Sequence, residues 1–148
     1  MRRRYATWLA GIVLLAIGLT GGPPAAATEP SVAERLAALV RQGTERQELP
    51  PMAPTTRYVG WVGNQRTELD AAGISRMHEA NQRLITSYQV RDFTVHAVDC
   101  GQDMCWIRYG YRFTARVGAM EVNGASENQE FWVREGDRLL LAYGIARQ

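Results

Sequence analysis

Five side chains of this chain have the types that could hold or work on a small molecule: Tyr109, Tyr111, Glu127, Asn81 and His78. Chemistry of the isomerase type needs a carboxylate base facing an apolar cavity, with a phenol or a neutral carboxylic acid to stabilise an enolate. Tyr109 and Tyr111 supply phenols on the apolar side of a long strand, and Glu127 is the one acid expected to share an inward face, with Phe131 and Val133. His78, beside Met77 and Asn81 on one helical stripe, adds a candidate base or hydrogen-bonding group. The constellation is incomplete. Asp99 falls at a strand end, and Glu68 and Asp70 lie in a turn before a helix, so no second carboxylate is placed to act with Glu127. The plainer readings are that Glu127 stands in water at a strand end and that His78 is a boundary residue. Neither His78 nor His96 has a third ligand at a metal spacing, and no Gly-x-Ser-x-Gly, phosphate-binding loop or dinucleotide fingerprint occurs. No metal or cofactor is expected.

A second group could bind a macromolecule. Arg108, Arg112 and Arg116 alternate with the apolar residues of one strand, about 13 Å apart at strand rise, so they form a line along its outer face. Trp106 stands on that face, and Trp132 on the neighbouring strand is expected there too, as are Glu130 and Arg134. Arginine mixed with exposed tryptophan is what protein interfaces select, which makes Trp106, Arg108, Arg112 and Trp132 a candidate interface. The competing reading is a solvated ladder of opposite charges across strands.

The compartment is written at the start of the chain. Arg2, Arg3 and Arg4 precede an apolar run from Trp8 to Leu19, followed by Ala25-Ala26-Ala27, which reads as a secretory signal peptide spanning residues 1–27. The apolar run falls short of the roughly 20 residues a membrane span needs, so no span is expected after cleavage. Of the 148 residues, removing those 27 leaves 121, enough for one domain with a sizeable core. There is no lysine; the 17 basic residues less the three arginines of the leader leave 14 against 15 acids, about −1. A near-neutral chain offers no electrostatic footprint for nucleic acid. Cys100 and Cys105 are the only cysteines. Exported protein meets an oxidising environment, and the Gly101-Gln102-Asp103-Met104 spacing suits a hairpin, so a disulfide is expected; C-x-x-C redox chemistry and a lipid anchor at the cleavage site are not. The protein is expected in the periplasm or the medium.

The elements that must position these residues run helices first, strands last. Residues 28–56 read as a helix capped by Ser31 and Glu34, with a Val32, Leu36, Leu39, Val40 stripe fraying near Gly43, then a connector bearing Pro50, Pro51 and Pro54. Residues 57–148 read as the remainder of the same α+β domain. A short strand covers 57–63, Asn64-Gln65-Arg66 turns the chain, and Asp70 caps a second helix whose buried face carries Ile74, Met77, Leu84, Ile85 and Tyr88. Four alternating segments follow, over 91–98, 106–117, 127–134 and 139–146. The last places Leu139, Leu141, Tyr143 and Ile145 on one face.

Together these predict a curved antiparallel sheet packed on N-terminal helices. The run from Tyr58 through Trp61, the Leu69-Asp70 helix entry, the alternating Trp106 to Val117 strand, and the ending from Phe131 through Gly136-Asp137 to Arg147 resemble the nuclear transport factor 2-like superfamily. The resemblance implies a cone-shaped α+β domain. It names no reaction, because that superfamily includes isomerases, cyclases, dehydratases, secretion-system domains and members without known activity. Two functions stay open. One is a non-catalytic cell-envelope module that binds a protein partner or its own copy through the outer sheet face. The other is a pocket protein or isomerase/dehydratase-type enzyme acting on a small apolar ligand. An open cavity between the second helix and the long strand favours the latter; collapse around Met77, Leu84, Tyr111 and Phe131 favours the former.

Overall fold

The computed structural model describes residues 29–148; the expected signal peptide lies outside the described residues. Two helices and six strands follow in the order α1 (Val32–Arg46), β1 (Met52–Val62), β2 (Gln65–Asp70), α2 (Ala71–Leu84), β3 (Ile85–Cys100), β4 (Met104–Val117), β5 (Met120–Glu135) and β6 (Arg138–Arg147). One sheet runs β2-β1-β6-β5-β4-β3. All neighbours are antiparallel except β1 and β6.

The capping box forms as its residue types dictate. Ser31 Oγ accepts from the Glu34 amide at 3.2 Å, and the Glu34 carboxylate accepts from the Ser31 amide at 2.7 Å. Helix α1 continues past Gly43 to Arg46 and ends on Gln47 in the left-handed region. It lays Leu36 and Val40 on Cys105, Ile107, Tyr109, Trp132, Leu139 and Leu141, the main core. Asp70 caps α2 by accepting from the Gly73 amide at 2.7 Å. Helix α2 buries only Gly73 and Ile74; Met77 and Leu84 are 46% and 58% exposed. It therefore roofs the sheet without closing on it.

Several expectations change. The connector is shorter, because β1 starts at Met52 and carries Pro54 where its pairing with β6 breaks, between Met52 and Arg57. Residues 65–70 form the edge strand β2, and Ile85 and Tyr88 belong to β3 rather than α2. Bulges bend β3 at three places and separate Phe131 from Trp132 in the β5–β6 pairing, which curves the sheet. The latter bulge also splits the expected face of β6. Leu139 and Leu141 join the core, while Tyr143 turns outward to meet Phe131, ring centroids 6.3 Å apart.

The largest correction concerns β5. Directly opposed residues of an antiparallel pair share a face. The register sets Ile107 against Glu130, Tyr109 against Asn128, Tyr111 against Ser126 and Cys105 against Trp132. The even-numbered residues of β5 are thus the inward ones.

Candidate functional site

The concave side of the sheet carries a polar floor beneath an open interior. Ser126, Asn128, Glu130 and Trp132 alternate along β5, all buried, and Tyr58 reaches them from β1 across Gly144. A Cβ at Gly144 would collide with the Tyr58 ring, so only glycine lets that phenol lie there. Glu130 is the centre. It accepts from the Tyr109 hydroxyl at 2.8 Å and from Trp132 Nε1 at 3.0 Å. Next to it, Asn128 Oδ1 accepts from the Tyr58 and Ser126 hydroxyls, each at 3.3 Å. Asn128 Nδ2 is buried without a partner.

Burial pushes the Glu130 carboxyl above its ordinary range, while the hydrogen bonds from Tyr109 and Trp132, with the Tyr58 hydroxyl nearby, pull the other way. The Tyr58 and Tyr109 phenols lie well above theirs, first because they are desolvated and then because the Glu130 charge opposes a phenolate. Tyr111 is also raised by burial, an effect eased by its bonds to Tyr88 and Ser126. These are hydroxyls that keep their protons and donate.

Over this floor lies a chamber of about 250 Å³, bounded by Tyr58, Ile74, Tyr111, Asn128, Glu130 and Leu141. A wider cavity of about 410 Å³, lined among others by His78, Asn81, Tyr88 and Phe113, shares Ile74, Met77, Tyr111 and Gln148 with it. Three of the five expected pocket residues, Tyr111, His78 and Asn81, therefore come together along the interior. Tyr109 lies deeper, in the core, where its ring stacks on Phe93 at 5.3 Å and its hydroxyl serves Glu130. Glu127 does not face the cavity. It projects from the outer face, two-thirds exposed, its Oε2 3.2 Å from His96 Nε2 across Gly110. The acid of the interior is Glu130, which the sequence reading placed outward.

The expected interface breaks up in the same way. Trp132 is 1% exposed and belongs to the core, because its strand is set one residue out of phase with the expectation. Trp106 is half-buried on the outer face opposite Phe131, and Arg108 and Arg112 are exposed there. Among the described residues Arg134 pairs with no acid. It ties down the β3–β4 hairpin, donating from Nη1 to the carbonyls of Gly101 and Gln102 at 3.2 and 3.0 Å. That hairpin is bridged by Cys100 and Cys105, opposed in register and bonded. A bonded pair of this kind belongs to an oxidising environment. Among the described residues no three His, Cys, Asp or Glu side chains gather as metal ligands, and no helix is long and apolar enough to cross a membrane.

Neither a family model nor a curated protein matches the sequence. Solved structures do match. A conserved protein from Planctomyces limnophilus superposes with a TM-score of 0.60 at 13% identity, over 78% of this chain and 92% of that one. A ketosteroid isomerase-like protein from Erwinia carotovora atroseptica gives 0.57 at 14%, over 82% and 96%. A nuclear transport factor 2-like protein from Pseudomonas putida gives 0.56 at 14%, over 78% and 84%. At such identities the likeness is one of fold, whatever lines the interior. The chain has the nuclear transport factor 2-like fold.

Proposed function

We propose that this is an exported pocket protein that holds a small, largely apolar compound by one hydrogen-bonding end in the interior of the cone. The observation that carries the reading is the buried Glu130 carboxyl, fixed by Tyr109 and Trp132 at the base of an open chamber. A carboxyl in an apolar interior is costly, and placing it beneath a cavity is what a binding site does with that cost. The chamber's about 250 Å³ is below the roughly 300–1,000 Å³ of drug-sized sites, so the ligand is small. Among the described residues one carboxyl lines the chamber, beside hydroxyls that keep their protons, which favours binding over proton transfer between two acids. Export to the periplasm or medium fits the bridged cysteines.

Native mass spectrometry of protein purified without denaturation tests this. The expected spectrum shows one retained organic compound per chain, absent from Met77→Trp, which fills the shared opening from an already exposed position. A ligand-free spectrum, with no binding from a panel of small neutral compounds, overturns it.

A second reading rests on a separate observation. Trp106, Phe131 and Tyr143 gather on the outer face, with Tyr143 37% exposed and Arg108 beside them. Such a patch suits a protein partner or a second copy of the chain. Sedimentation velocity should show concentration-dependent association that Trp106→Ala weakens. A monomer at every concentration with unchanged binding to envelope extracts removes this reading and leaves the pocket reading intact.

A further inference from the structure

On the outer face, far from the aromatic patch, the sheet sets two arginines against each other. Arg91 of β3 and Arg112 of β4 are directly opposed in register, both exposed. Like charges in opposed positions destabilise a strand pair, and opposite charges are the ordinary arrangement. Nothing nearby neutralises them: among the described residues neither guanidinium lies within 4.0 Å of a carboxylate. Arg91 Nη2 is instead steered by Gln89 Oε1 at 3.1 Å.

The backbone around the pair is shaped as well. The pairing of β3 with β4 slips between Arg91 and Thr94, and Asp92 at the slip takes a left-handed φ of 53°. Such bulges re-aim side chains and concentrate beside sites. The result is a hollow of about 510 Å³ bounded by Arg91, Asp92, Arg112, Thr114, Asn123 and Ala125. On its far wall Thr114 Oγ1 donates to Asn123 Oδ1 at 2.7 Å, which orients the Asn123 amide. Ala125, opposite Arg112, adds little bulk to that wall, and the Phe113 ring lies against Gly124 at its base. The adjoining Arg116 differs, since Glu121 stands opposite it.

We infer that this hollow is a binding site for a polyvalent oxyanion, a phosphate or sulfate ester, gripped by the Arg91 and Arg112 guanidinium forks with the Asn123 amide as a further donor. Planar five-donor guanidinium groups match tetrahedral oxyanions in a way a single ammonium does not, and two of them facing one hollow are repelled until an anion lies between them. Asp92, the one acid among the described residues lining the hollow, repels any anion, and the two guanidinium charges of Arg91 and Arg112 outweigh it. The site is separate from the interior pocket and stands or falls independently of it.

Inorganic pyrophosphate is the probe, titrated at low ionic strength into the ¹⁵N-labelled protein. Saturable amide shifts are expected at Thr114, Asn123, Gly124 and Ala125. Arg112→Gln and Arg91→Gln should each weaken binding about tenfold, the size of one lost charge-assisted contact. Both positions are exposed, so the fold survives. Arg116→Gln and Arg57→Gln serve as controls and should change affinity by less than about twofold. Shifts spread along the whole arginine row, an equal loss in Arg116→Gln, or no saturable shift below millimolar pyrophosphate would each overturn the proposal.

Discussion

The two faces of β5 carry one strand's residues in two different physical states. Asn128, Glu130 and Trp132 are buried on the concave side, Trp132 donating to Glu130, while Glu127, Gln129 and Phe131, their immediate neighbours, look outward. Glu130 and Glu127 make the contrast sharpest. One is buried and accepts two hydrogen bonds; the other is two-thirds exposed beside His96. The same residue type is a buried, hydrogen-bonded structural element on one side and an exposed side chain on the other, although the two residues lie only three apart on one strand.

The largest effect that would break this comparison is at Trp132. Trp132→Ala should cost about 3–5 kcal/mol, because it empties a fully buried site, whereas Phe131→Ala on the half-buried outer face should cost about 1 kcal/mol, both read by urea unfolding. Equal costs would mean that the two faces are not distinct.

Glu130→Gln comes next. The amide can keep one acceptor, for Tyr109, but presents N–H to Trp132 Nε1, so about 1–3 kcal/mol should be lost near pH 7 if the carboxylate's acceptors dominate. The pH dependence separates the causes. Burial raises the Glu130 carboxyl above 4.5, so the folded state binds the proton more tightly than the unfolded chain. The stability that this contributes is complete below about 4.5 and is lost as pH rises through the folded value. Unfolding midpoints measured across acid pH should therefore fall more steeply with rising pH in the parent than in Glu130→Gln. An identical profile would place Glu130 in water.

Removing the Cys100–Cys105 bridge should cost about 2 kcal/mol, the chain-entropy value for so short a loop, and leave the fold intact. Thiol titration of denatured, unreduced protein should find none free; two per chain would contradict the bridge. The smallest effect belongs to Glu127→Gln, less than about 0.5 kcal/mol by thermal unfolding, as an exposed contact implies.

How much of this was legible in the sequence varies by element. Both helix starts were, because Ser31 with Glu34 and Asp70 before Gly73 satisfy first-turn amides whatever the tertiary context. Strand β4 was, because Ile107, Tyr109, Tyr111 and Phe113 alternate against arginines. Strand β2 was not. Its residues 65–70 are polar and nearly all exposed, so an edge strand carried no hydrophobic signal. Ile85 and Tyr88 mimicked helical spacing because a bulge lets residues three apart share a strand face.

The face of β5 was the costly miss, and it did have a signal. Phe131 and Val133 suggested an inward odd face, yet even positions carry the larger Trp132. Hairpin arithmetic decides: a two-residue turn at Gly118-Ala119 or at Asn123-Gly124 pairs odd positions of β4 with even positions of β5. The register observed, Val117 against Met120, is the first of these. With it, Glu130 rather than Glu127 becomes the acid of the interior. The chambers of the interior were not legible, since polar spacing within a strand says nothing of cavity shape.

Amide shift mapping with a small neutral probe such as cyclohexanone tests the central claim most directly, because it asks which side of β5 meets a ligand. Saturable shifts are expected at Ser126, Asn128, Glu130 and Tyr111, abolished in Met77→Trp, with Glu127, Gln129 and Tyr143 unmoved. Shifts confined to Gln129, Phe131 and Tyr143, or none at any concentration, would contradict it.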